Sequence, residues 1–188
     1  ARGGDLGWYD PESSPYVDRT LDLFRELRQR SPRVGVALQA YLRRTAGDVE
    51  QLLPLGAAIR IVKGAYLEPP AVAFPDKRDV NESFFTLSCR LLGPEAVAAG
   101  GVLHIATHDG ALVDRLQGFI ATHAVPRSAY EFAMLYGIQR PLQTRLVQAG
   151  APLRVLIAYG PHWFPWYMRR LAERPANLAF VVKNLVAR

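Results

Sequence analysis

The chain has 188 residues, 49% hydrophobic and 21% charged, which fits one domain with its own core and excludes a disordered chain. A single cysteine, Cys89, excludes an internal disulfide and a cysteine-rich metal site, and no apolar run approaches the roughly 20 residues that a membrane-spanning helix needs. The net charge of +6 is spread over dispersed arginines, with Arg43-Arg44 and Arg169-Arg170 the only adjacent pairs and no aromatic-interleaved basic stripe, so nucleic acid is not an expected partner. The opening Ala1-Arg2-Gly3-Gly4-Asp5 has no signal-peptide pattern, and the cytoplasm is the expected compartment.

In chain order, residues 1 to 14 are glycine-rich with little strand character, although a strand near Trp8-Tyr9 is compatible with them. Val17, Leu21, Phe24 and Leu27 recur at helical spacing and predict a helix over 15–29, with Ser13-Ser14 as its cap. A strand follows at 34–40, then a short helix capped by Thr45 and carrying Val49, Leu52 and Leu53. Strands are predicted at 58–62, 102–106, 130–135 and 154–158. Helices are predicted at 80–92, at 110–122, from Pro141 to Gly150 and at 163–173, before an apolar segment at 178–186. Strand–helix alternation at this pace predicts a parallel α/β fold, and the continuous apolar strands predict burial on both faces.

In such folds chemistry collects where strands end. The ends here carry Gln39 and Tyr41; Lys63 and Tyr66; Thr107, His108 and Asp109; Tyr136; and Tyr159 with His162. Arg60 lies within a strand, where a charge needs a partner, and Gly64 admits close approach of a ligand while Lys63 can meet a phosphate. The same three residues also fit an edge-strand arginine, a turn glycine and a solvated lysine. Thr107-His108 fits either a cofactor-binding pair or the cap of the next helix. Trp166, Arg169, Arg170 and Glu173 share one helix face. The two guanidinium groups can clamp a carboxylate with Glu173 holding one of them, or the face can be solvated and salt-bridged. No histidine has metal-ligand spacing, and no P-loop, GxGxxG or GxSxG motif occurs.

Four motifs, in order, resemble those of proline dehydrogenases, especially bacterial single-function ones. They are Ile61-Val62-Lys63-Gly64-Ala65-Tyr66, Ala106-Thr107-His108, Glu131-Phe132-Ala133-Met134-Leu135-Tyr136-Gly137, and the run from Tyr167 to Asn177. The resemblance extends from about Asp10 to the C-terminus. It implies a distorted (β/α)8 barrel of the TIM type, a single domain holding FAD. It also implies oxidation of L-proline to 1-pyrroline-5-carboxylate, with hydride passing to flavin N5 and electrons then to a membrane quinone, hence peripheral membrane contact. By position, the resemblance gives Arg60 the contact with flavin N5. Gln39, Val62, Lys63, Gly64, Ala65, Thr107 and His108 become the lining of the FAD site, and Asp10 the active-site aspartate. Tyr66 and Leu135 would wall the proline ring, and Arg169 and Arg170 would bind its carboxylate with support from Glu173.

The pattern departs from the family in places. The family's first barrel strands, with a lysine that pairs with the substrate carboxylate, have no counterpart, so a barrel lacking its first units is expected, with an open sheet as the alternative for five or six strands. Pro11 follows Asp10, Ala133 replaces a frequent glutamine, and Leu156 and Trp166 stand where pocket tyrosines are expected, with Tyr167 adjacent to the latter. A sheet of five or six strands leaves unpaired edges, which predicts a homo-oligomer or poor solubility. The alternatives to proline oxidation are a truncated, non-catalytic binding module and a barrel enzyme acting on a proline analogue.

Overall fold

A computed structural model describes residues 6–157 and 159–161. Six strands form one sheet, all parallel: β1 (Gly7–Tyr9), β2 (Val34–Gln39), β3 (Ala58–Val62), β4 (Val102–Ala106), β5 (Tyr130–Leu135) and β6 (Leu153–Leu156), adjacent in that order. The connections hold α1 (Val17–Arg30), α2 (Thr45–Leu52), α3 (Lys77–Leu91), α4 (Pro94–Ala98), α5 (Gly110–Thr122) and α6 (Arg140–Gln148). Sequential strand order is the winding of a barrel, because right-handed crossovers then put every helix on one side. A doubly wound sheet would reverse its order at a switch point.

The sheet curls toward its helix-free face. β1 and β4 lie three strand spacings apart, about 14 Å across a flat sheet. Side chains stand roughly perpendicular to a sheet, yet the rings of Trp8 on β1 and His104 on β4 meet with centroids 4.7 Å apart. Their contact requires a concave surface.

The core fills the convex side. Val36 and Leu38, Ile59 and Ile61, Leu103 and Ile105, and Phe132 and Met134 face Val17, Leu21 and Phe24 of α1, Phe84 of α3, Leu112 and Leu116 of α5, and Leu146 of α6. The chain leaving α2 turns at Gly56, whose φ of 55° is left-handed and where an added Cβ would overlap the Ala99 carbonyl.

The strand that Trp8-Tyr9 is compatible with is present as β1, paired with β2 beside the glycine-rich start of the chain. Several other expectations are corrected. β2 is buried at every position, as expected, whereas β3 and β5 alternate between buried and half-buried positions, because helices do not cover their concave-side residues. Thr45 does not cap α2; it is the helix's first residue, and its hydroxyl donates to the Gln39 carbonyl at 2.6 Å. Ser13 makes no capping bond, and Ser14 donates through both its amide and hydroxyl to Glu68. The short α4 had no sequence expectation. The helix expected at 163–173 and the apolar segment at 178–186 lie outside the described residues.

Candidate active site on the concave face

Strand register decides which side chains share the concave face. Gly35, Ala37 and Gln39 of β2 lie beside Ala58, Arg60 and Val62 of β3, and Arg60 lies beside His104 of β4, which lies beside Glu131 of β5. Beyond them Ala133 and Leu135 lie beside Arg154 and Leu156 of β6. Because all strands run the same way, their C-terminal ends open on one rim.

Arg60, the charge within a strand, has the partner that burial demands. Its guanidinium pairs with the carboxylate of Asp10, just past the end of β1, and lies over the Trp8 ring at 4.4 Å from the centroid. Asp10 and Arg60 are fifty residues apart in sequence, and the β1–β2–β3 pairing brings them together. Next to them His104 Nδ1 lies 3.1 Å from Glu131 Oε2, which also accepts from Arg154 Nε at 2.8 Å. Burial raises the Glu131 carboxyl, but the bonds from His104 and Arg154 outweigh it and hold the group below the usual carboxylate range. Sequence reading assigned no role to Trp8, Glu131 or Arg154. The available signal was period-two parity with Arg60 on neighbouring strands.

Gln39, at the end of β2, donates from Nε2 to the carbonyls of Pro11 (2.9 Å) and Glu12 (2.6 Å), fixing the segment after Asp10. Its Oε1 is buried and has no donor among the described residues. Lys63 is buried after β3, with its ammonium 2.6 Å from Asn81 Oδ1 and 2.7 Å from Asp109 Oδ2. Gly64 has φ 111°, and an added Cβ would overlap the Tyr41 ring, so packing against Tyr41 by itself requires glycine here. Burial pushes the Tyr41 phenol up to about 12. Asp109, rather than Thr107 or His108, caps α5, accepting from the Leu112 amide. Thr107 Oγ1 is bonded by the Asp109 amide at 3.2 Å, and His108 Nε2 accepts from the Leu135 amide at 2.9 Å, tying the ends of β4 and β5.

The rim thus gathers Asp10, Gln39, Arg60, Val62, Lys63, Thr107, His108, Leu135 and Leu156, with Ala65 and the half-exposed Tyr66 in the loop after β3. Trp166, Arg169, Arg170 and Glu173 lie outside the described residues.

Asp109 carries a pH prediction. Burial raises its carboxyl, but the hydrogen bond and charge of Lys63 and the amides of Leu112 and Ala111 prevail and lower it. A carboxylate whose folded pKa is depressed stabilises the fold above its unfolded pKa of about 3.9, and the contribution is lost as pH falls through the folded value. Asp109→Asn should therefore lower the Tm at neutral pH, and the deficit should shrink below about pH 4. Thermal melts at both pH values check this; an equal deficit at both would contradict it.

The family model described as proline dehydrogenase matches residues 8–183. The chain belongs to the proline dehydrogenase family. Proline dehydrogenase of Deinococcus radiodurans is 42% identical over 179 residues, which is 94% of this chain and 56% of that protein. Proline dehydrogenase 1 of Bacillus subtilis subsp. natto is 40% identical over 178 residues, 94% of this chain and 57% of that protein. The chain therefore spans a little over half the length of these relatives. Among solved structures, proline utilization A from Bdellovibrio bacteriovorus, inactivated by N-propargylglycine, superposes with a TM-score of 0.78 at 24% identity, over 88% of this chain and 19% of that one. A mutant of proline utilization A from Bradyrhizobium japonicum gives 0.71 at 21% identity, over 88% and 19%. At those identities the likeness is one of fold, and it matches the curled parallel sheet of this proline dehydrogenase family member. Among the described residues, no helix is long and apolar enough to cross a membrane.

Proposed function

We propose that this chain forms the cofactor- and substrate-facing part of a single-domain (β/α)8 barrel that binds FAD and oxidises L-proline to 1-pyrroline-5-carboxylate. The observation that carries the reading is the convergence of Asp10, Arg60 and the buried Oε1 of Gln39, which has no donor among the described residues, from the ends or interiors of three adjacent strands, on one concave face. A flavin ring fits this set: it offers an N–H to the orphaned amide oxygen and acceptors to the guanidinium of Arg60. Bound FAD supplies a two-electron acceptor for the hydride of the substrate C–H.

The chain's own residues do the rest. Arg60, paired with Asp10, would face flavin N5. Gln39, Val62, Lys63, Gly64, Ala65, Thr107 and His108 would line the cofactor. Asp10 pairs with Arg60 through Oδ1, and Oδ2 can accept the proton that leaves the proline nitrogen as the C=N bond forms. Tyr66, Leu135, Leu156 and Trp166 enclose the ring. Arg169 and Arg170 bind the carboxylate bidentately, supported by Glu173. A quinone would receive the electrons at a membrane surface, and this chain by itself, without the rest of the barrel, would self-associate through its sheet edges.

Leu156 sets the specificity. It sits beside Leu135 on the concave face, half exposed, and leaves more room than a tyrosine. The enzyme should turn over L-proline with an artificial electron acceptor and also accept 4-hydroxyproline. Leu156→Tyr should raise the preference for proline, by about 1–3 kcal/mol in kcat/KM if the wall does not repack. No proline-dependent acceptor reduction by the FAD-loaded protein would overturn the function; an unchanged substrate ratio would remove Leu156 from the ring wall.

A further inference from the structure

We propose that Trp8 is a positioning residue for Arg60, which rests on the reading of Arg60 as a flavin-facing group. A guanidinium carries five N–H donors in a rigid plane, so its value to a ligand depends on how that plane is held. One carboxylate contact leaves the plane free to rotate about the shared bond. Two further observations remove that freedom. The Trp8 indole lies under the guanidinium at 4.4 Å, and its ring meets His104 at 4.7 Å with an interplanar angle of 81°. His104 is in turn held by Glu131, and Glu131 by Arg154. The result is one continuous brace across the concave face, Asp10–Arg60–Trp8–His104–Glu131–Arg154, reaching from β1 to β6.

The floor of the sheet is built for the indole. Trp8 lies beside Gly35 on β2, where an added Cβ would come within 2.9 Å of Trp8 Cζ3 and 3.0 Å of the Ala58 carbonyl. The next inward residue, Ala37, lies beside Arg60 and is also small. Two small residues in the inward row of β2 leave the space in which indole and guanidinium stack. The alternative is that Trp8 only covers the edge of the sheet, in which case any large apolar side chain would replace it.

Trp8→Leu and Trp8→Phe separate these. In protein made with isotope-labelled arginine, the Arg60 Nε–H signal, assigned by its loss in Arg60→Lys, reports the stack without any cofactor. Trp8→Leu should move that signal away from its ring-shifted position and speed its exchange with solvent. The same variant should bind FAD about two- to thirty-fold more weakly, the range of a cation–π contact, and lower kcat rather than raise KM for proline. Trp8→Phe, which keeps a π face, should recover part of each effect. If Trp8→Leu does not fold, Gly35→Ala displaces the indole while retaining it and is read in the same way. An unmoved Arg60 signal overturns the proposal, as does a moved signal with wild-type FAD affinity. Wild-type protein that binds no FAD is a failure of the proposed function instead, and the Arg60 signal then decides the brace by itself.

Discussion

Arg60→Ala should weaken FAD binding at least tenfold and slow reduction of the bound flavin by proline. On the proposed reading, the substitution removes a charged donor from the cofactor, and hydrogen bonds to charged groups contribute about 1.5–3 kcal/mol each, or roughly ten- to a hundredfold in affinity. It also strips Asp10 of its partner and Trp8 of the cation above it. Stability should change little by comparison. The Arg60 side chain is 20% exposed and Asp10 is 61% exposed, so solvent screens the pair that is lost. Flavin titration and rapid-mixing reduction measure the first effect, and a melt of the cofactor-free protein measures the second. Wild-type flavin content together with wild-type reduction would remove Arg60 from the site.

Phe132→Ala should cost the fold about 3–5 kcal/mol, the usual range for deleting a buried aromatic. Phe132 is fully buried at the centre of β5, between Ile105 of β4 and Leu153 of β6, with its ring edge-on to Tyr130 at 6.0 Å. Its lateral neighbours belong to strands, which cannot collapse into the cavity without breaking their ladders. Domains of this size have only about 5–15 kcal/mol in hand, so the variant should be strongly destabilised and its denaturant midpoint clearly lowered. The loss is one of stability, since Phe132 faces the helices and its neighbour Glu131 faces the concave side. A midpoint within error of wild type would mean that the β5 register is misassigned.

These two residues show what the sequence could disclose. Phe132 lies in an apolar run bounded by Pro126 and Gly137, and such runs marked β2 to β5 to within a residue or so because their burial is local in pattern. β1 was only partly legible: Trp8 and Tyr9 suit a strand, but three residues beside a glycine-rich stretch are too few to mark one without the pairing with β2. α4, with five residues, is too short for a helical period to register. β3 and β5 looked buried on both faces, as β2 is, because inward positions such as Ala58, Val62 and Ala133 are also apolar, although they line an open concave surface.

The site divides in the same way. Arg60 stood out as a charge inside a strand, but its partner Asp10 is fifty residues away, and only the resemblance to proline dehydrogenases suggested that aspartate. Lys63 looked suited to a phosphate, but the fold pairs it with Asp109 and Asn81, residues 46 and 18 positions away. Gly64 looked like a ligand approach, and the Tyr41 ring supplies an independent need for it. Trp8, Glu131 and Arg154 carried no motif, because their relation to Arg60 and His104 exists only in strand register and sheet curvature.

The most direct test is the spectrum of the FAD-loaded protein under anaerobic conditions as L-proline is added. If the concave face holds the flavin beside the substrate, the visible absorbance of the oxidised cofactor should bleach with saturable dependence on L-proline, while buffer alone leaves it unchanged. A bound flavin that stays oxidised at saturating L-proline, or a protein that takes up no FAD, would contradict the account.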